Sequence, residues 1–238
     1  MKVKLITILS FFFLMATCKN KNAVGIDHLL LIKDPTAYGI ADSLKYLIPI
    51  LDSVFYNDQK FRYDAHLSTE SEKKAHMKAF LANRNEIEKI DQRNLQIVKG
   101  IIEKHGWLGT KDVGFKASQT LFSVIQHADI QTQEAYLPLL KKAFNEGRIA
   151  PANYAMYLDR ISMGKRIPQV YGTQLTMENN VPELYPLMNV DSVDAWRKSV
   201  GWDSIKFYLR IWNIEWDAEV YKRKLPSLRE KYKVRDSL

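Results

Sequence analysis

The stretch Ser71–Lys104, SEKKAHMKAFLANRNEIEKIDQRNLQIVKGIIEK, decides the fold. In it Phe80, Ile87, Ile90, Asn94, Ile97 and Ile101 recur at intervals of seven, three, four, three and four. That spacing lines one face of a helix and aims it at a core. His105-Gly106 follows, and glycine easily takes the left-handed turn that ends a helix. A long one-sided helix needs other helices to cover it, and the flanking sequence supplies them.

Upstream, a helix is predicted from Ser43 to about His66, with Pro49 in its first turn or at a kink. Downstream, a loop at Trp107–Asp112 leads to helices over Val113–Ile130 and Gln133–Asn145, the second stopped by Gly147. The next opens at Pro151, which suits a first helical turn, and ends near Met163-Gly164. Residues 165–190 then change character. Pro168, Gly172, Pro182, Pro186 and the pair Asn179-Asn180 interrupt any helical period, although Ile167–Leu175 has room for a short strand or hairpin. An irregular stretch this long inside a compact domain is often functional. Helix resumes at Asp191, with Trp196 and Arg197. A last helix over Ser204–Lys222 carries Phe207, Tyr208, Ile211, Trp212 and Trp216, which read as packing surface rather than a cofactor box. Nothing alternates at period two for long. The expected fold class is all-α or nearly so: a single multi-helix domain over 43–222 with a long irregular loop around 165–190, followed by a basic tail, 223–238.

The first twenty residues, MKVKLITILSFFFLMATCKN, read differently. Lys2 and Lys4 precede an apolar run from Leu5 to Ala16 that is too short to cross a hydrocarbon core, which needs ~20 residues. A basic start, a short apolar run and then small residues make the pattern of an export signal, here residues 1–17. Met15-Ala16-Thr17-Cys18 resembles a lipobox. Cys18 is the one cysteine in the chain, so acylation would consume its thiol and no disulfide is available. The expectation is a lipid anchor on Cys18, a tether over 18–42 whose Leu29–Ile32 docks on the domain, and residence in the bacterial cell envelope, by analogy at the outer membrane.

Composition agrees with a globular protein: 46% of residues are apolar and 26% charged, with a net charge of +8. Part of the positive excess lies in Lys222, Arg223, Lys224, Arg229, Lys231, Lys233 and Arg235, faced nearby by Glu230 and Asp236. This suits anionic lipid headgroups or a solvated tail. Nucleic acid is not an expected partner, because no helix-turn-helix, RNA-recognition or zinc-finger pattern accompanies the charge.

Familiar reaction signatures are missing. The sequence has no Gly-x-Gly-x-x-Gly, phosphate loop or Gly-x-Ser-x-Gly elbow. His28, His66, His76, His105 and His127 are not paired at metal-ligand spacing. No cofactor and no metal is expected.

What remains is a set of polar motifs: Asp58-Gln59-Lys60-Phe61-Arg62, Gln126-His127-Ala128-Asp129, Asp159-Arg160 and Tyr171-Gly172-Thr173-Gln174, with Gln169 just ahead of the last. In these, and in Asn94, His105-Gly106-Trp107, Arg197 and Gly201, the chain resembles a bacterial family of unknown function over roughly residues 50–210. The resemblance implies no mechanism, so the residues must be read for themselves. On a regular helix Leu121, Val124, Ile125 and Ala128 form a core stripe. Gln126, Asp129 and Gln133 then lie along one flank, with His127 and Gln131 along the other. A His127–Asp129 pair is disfavoured unless the helix breaks there, and Asp129 or Asp159 would instead meet an arginine such as Arg62 or Arg160.

Three readings stand. In the first, these side chains form a buried polar network that specifies packing. In the second, His127, Asp129, Asp159, Arg160, Gln169, Tyr171 and Gln174 line one pocket, with Thr173, Asp58, Gln59, Arg62 and Gln126 adding polar contacts, and receive a polar small ligand or cell-wall fragment. In the third, a hydrolase uses His127 as general base, with Asp129 and Asp159 as acidic groups and Arg160 stabilising an anion.

Overall fold

A computed structural model describes residues 39–62, 70–178 and 181–235. The expected export signal, Cys18 and the tether segment Leu29–Ile32 lie outside the described residues. The described chain is mostly helical, as its periodicity predicts, with one short hairpin. It divides into two compact units, one ending at Arg148 and the other beginning at Ile149.

The first unit opens with a single helical turn, α1 (Asp42–Lys45), and α2 (Leu47–Gln59). Pro49 sits in the first turn of α2, where its missing N–H costs no helical hydrogen bond. The helix expected over Ser71–Lys104 is two: α3 (Glu70–Ala82) and α4 (Arg84–His105), parted at Asn83. Asn83 adopts φ −96° and ψ 12°, and its side chain donates to Ala79 O at 2.8 Å. An asparagine that bonds the preceding turn competes with helix continuation, which periodicity alone does not register. Gly106, at φ +71°, ends α4. The buried stripe of α4 is Ile87, Asn94, Val98, Ile101 and Ile102, while Ile90 and Ile97 are half-buried.

After Trp107 and Leu108, both buried, come α5 (Thr110–Val113), α6 (Phe115–His127) and α7 (Ile130–Asn145). Gly114 at φ +85° separates α5 from α6, a conformation that favours glycine. The expected helix through Ile130 ends earlier, because Ala128 turns extended (ψ 171°) and Asp129 starts the next helix. Helices α2, α4 and α6 pack on one another around Leu47, Leu51, Val98, Leu121, Phe122 and Ile125.

The second unit begins with α8 (Pro151–Gly164), its proline at the first helical position as expected. Strands β1 (Leu175–Glu178) and β2 (Val181–Leu184) pair antiparallel, with Leu175 opposite Leu184. The expected short strand or hairpin is therefore displaced to the far side of Gln174. Two seven-residue helices follow, α9 (Val193–Ser199) and α10 (Ile205–Ile211), then α11 (Ala218–Tyr232). The single helix expected over Ser204–Lys222 breaks at Asn213 (φ +55°), and Asp217 caps the next by accepting from Val220 N at 2.8 Å. Most of the expected basic tail is helix, because Tyr221, Leu228 and Tyr232 make a buried stripe at spacings of seven and four. A core of Leu175, Leu184, Tyr185, Leu187, Ile205 and Leu209 receives that stripe.

Candidate functional site

The expected site residues divide between the two units. Asp58, Gln59, Arg62, Gln126, His127 and Asp129 belong to the first; Asp159, Arg160, Gln169, Tyr171, Thr173 and Gln174 belong to the second.

In the first unit, the last turn of α2 places Asp58 inward, with its side chain 2% exposed. Its Oδ1 lies 2.8 Å from His127 Nδ1 at the end of α6 and 3.3 Å from Arg62 Nη1. Gln59 Nε2 donates to the other oxygen at 2.7 Å. Arg62 extends the chain of charges: Nη1 also donates to Asp58 O at 2.9 Å, and Nη2 donates to Asp91 Oδ2 at 2.5 Å. The chain Asp91–Arg62–Asp58–His127 draws on α4, the end of α2 and α6. Burial opposes ionisation of Asp58, but His127, Arg62 and the Gln59 amide outweigh it and hold the carboxyl below its usual range. Burial likewise opposes the charge on Arg62, and Asp58 and Asp91 overcome it, raising the pKa of the guanidinium.

The far side of this centre is unsatisfied. His127 Nε2, Asp91 Oδ1 and both side-chain atoms of Gln126 are buried without a hydrogen-bond partner among the described residues. Buried polar atoms in that state are uncommon and call for an explanation. Asp91 was absent from the sequence motifs. Its position three residues before Asn94 on α4 was the available signal, but nothing local identified Arg62 as its partner.

Asp129 has a different role from the one expected. It neither pairs with His127 nor meets an arginine; it caps α7, accepting from Thr132 N at 2.8 Å. The turn is locked by Gln133 Nε2, which donates to Gln126 O at 2.9 Å and to Ala128 O at 2.8 Å. Gln-His-Ala-Asp is therefore a helix-to-helix corner, and the corner frees His127 to reach Asp58.

In the second unit Asp159, fully buried on α8, gathers the loop that follows. Its carboxylate accepts from Val170 N at 2.8 Å, Tyr171 N at 3.0 Å, Thr173 N at 3.0 Å and Thr173 Oγ1 at 2.9 Å. Burial pushes this carboxyl up to about 6, against the pull of those donors. Gln169 clamps the base of the hairpin: its amide oxygen accepts from Gln174 N at 2.8 Å, and its Nε2 donates to Gln174 O at 3.0 Å and Tyr185 O at 2.7 Å. Gln174 Nε2 donates to Thr173 Oγ1 at 2.9 Å. Arg197 donates to Tyr171 O at 2.9 Å and Asp203 O at 2.7 Å, and lies over the rings of Trp202 and Tyr208. Arg160 is also buried. The Asp-Arg and Tyr-Gly-Thr-Gln motifs thus bind the fold to itself.

Among the described residues, no group of three or more His, Cys, Asp or Glu side chains is placed to hold a metal ion. Comparison with curated proteins and with solved structures finds no match. Residues 69–222 match a family model described as a family of unknown function (DUF6624), a span that includes Asp91, His127 and Asp159 and excludes Asp58 and Arg62. With most of its length inside that match, the chain belongs to the DUF6624 family.

Proposed function

We propose that the first unit carries an acid–base centre for a polar substrate, with His127 as general base and Asp58 as the residue that orients it. The observation carrying this reading is the 2.8 Å contact between Asp58 Oδ1 and His127 Nδ1, with Nε2 left without a partner. A carboxylate on one ring nitrogen fixes the tautomer that presents a lone pair on the other and stabilises the imidazolium formed when that lone pair takes a proton. Arg62, itself held by Asp91, favours the ionised form of Asp58 and keeps it in place. Hydrolysis is the reaction class such a pair serves most simply, with Nε2 taking a proton from the attacking water. The motif Met15–Cys18 adds a location to the proposal: a lipid-anchored protein of the bacterial cell envelope, acting on a polar envelope component. Incorporation of labelled palmitate that disappears in Cys18→Ser checks that part separately.

The burial of Nε2 favours a second reading, in which these four polar side chains only fix the packing of α2, α4 and α6. Diethylpyrocarbonate separates the two. A working base must be reachable from solvent, so His127 should be carbethoxylated in the folded protein, with the adduct located by mass spectrometry. Modification of His127 only after unfolding would leave the packing role alone.

A further inference from the structure

Contacts along α2 and α4 fix their register. Tyr46, just ahead of α2, bonds His105 at the end of α4, and Val54 O accepts from Asn94 Nδ2 at 3.4 Å. Lys60 pairs with Glu86, and Arg62 with Asp91. The helices run antiparallel, and a groove of about 560 Å3 lies along their seam. The register polarises this groove. Pro49, Ile50 and Ile97 line the end toward the start of α2, whereas Asn57, Arg93 and Asn94 line the other end.

The polar end is equipped for a charge. Arg93 is exposed and has no ion-pair partner among the described residues. Ile50, 38% exposed, and half-buried Ile97 leave apolar surface open at the opposite end. The groove falls within the ~300–1,000 Å3 range of small-molecule sites and has their mixed lining, apolar walls with a few placed polar groups. Ile97 occupies the face that the periodicity of α4 directs inward, yet it is only half-buried beside α2.

We propose that this groove binds a small amphiphile with an anionic head, its carboxylate against Arg93 and Asn57 and its chain along Ile50 and Ile97. The site stands apart from any proton transfer at His127. Decanoate is the probe, with acetate and decanol as the head-only and chain-only controls, titrated calorimetrically into the full chain. Decanoate should bind saturably at one site, and both controls at least tenfold more weakly. Arg93→Gln and Ile50→Gln alter exposed positions, and each should weaken decanoate about tenfold, the size of one charge-assisted contact or one lost apolar wall. Absence of saturable decanoate binding, controls that match decanoate, or an affinity indifferent to both groove substitutions overturns the proposal.

Discussion

His127 Nδ1 and Asp58 Oδ1 lie 2.8 Å apart although 69 positions separate the two residues in sequence. The pair closes α6 onto α2, and removing the Asp58 carboxylate leaves the buried Arg62 guanidinium with Asp91 as its remaining ionic partner. Breaking a buried pair in this way costs roughly 3–5 kcal/mol. Asp58→Asn should lower stability by that order in urea denaturation, and a double-mutant cycle with His127→Gln should give a coupling above ~1 kcal/mol. The carboxyl is held below its ordinary value in the folded state, so its contribution is present above about pH 4, the unfolded pKa, and fades as pH falls further. Asp58→Asn should flatten that acid limb; an unchanged limb would place the stabilisation elsewhere.

Asp159 has the opposite sign. Its folded pKa is raised to about 6, so the folded state holds the proton more tightly than the unfolded chain does. Stability contributed by the protonated carboxyl is full below about pH 4 and is lost as pH rises toward 6, by on the order of 3 kcal/mol. Trp196, Trp202, Trp212 and Trp216 lie in this unit and Trp107 in the other, so denaturation followed by tryptophan fluorescence in a Trp107→Phe background reports on it. Asp159→Asn should abolish the slope between pH 4 and 6, and a slope that survives the substitution refutes the assignment.

Gly172 adopts φ +70°, and a Cβ there would stand 2.6 Å from Ile205 Cδ1 and 3.3 Å from Leu187 Cδ2. Gly172→Ala should therefore cost about 2–3 kcal/mol, from overpacking and backbone strain together. Ile205→Val removes the nearest atom. The double variant should recover part of the loss when melting temperatures are compared, whereas strict additivity would assign the cost to the backbone alone.

Asp129→Ala removes a helix cap and should cost about 1 kcal/mol. Asp129→Ser, which keeps a capping oxygen without the charge, should restore most of it. Neither should alter the carbethoxylation of His127. A large effect of Asp129→Ser on that chemistry would return Asp129 to the acid–base centre.

The helical class was legible because apolar spacing is a local property: Ile87, Asn94 and Ile101 recur regularly, Gly106 stops α4, and Pro151 opens α8. Boundaries set by side-chain competition were not. Asn83 interrupts a strong periodic pattern, Asp129 turns an expected helix interior into a cap, and the charge of the C-terminal segment masked the stripe Tyr221, Leu228, Tyr232. Within the candidate site, spacing along the chain pointed to residues but not to their partners. Asp58, Arg62, Asp91 and His127 meet through packing of separate helices, which no spacing along the chain encodes. The adjacency of Asp159 and Arg160 suggested a reactive pair, yet the carboxylate turns to the amides of residues 170–173.

The Gln169 clamp has a consequence for how this unit tolerates variation. One carboxamide grips Gln174 and Tyr185, the residues on either side of the hairpin, and so holds its two roots at fixed separation whatever lies between them. Val181, at the start of β2, is already 63% exposed. With its roots so held and Glu178 and Glu183 both paired to Lys231 on α11, the hairpin is tied down along its length, so a reporter group is better carried on the exposed side chain of Val181 than on inserted residues.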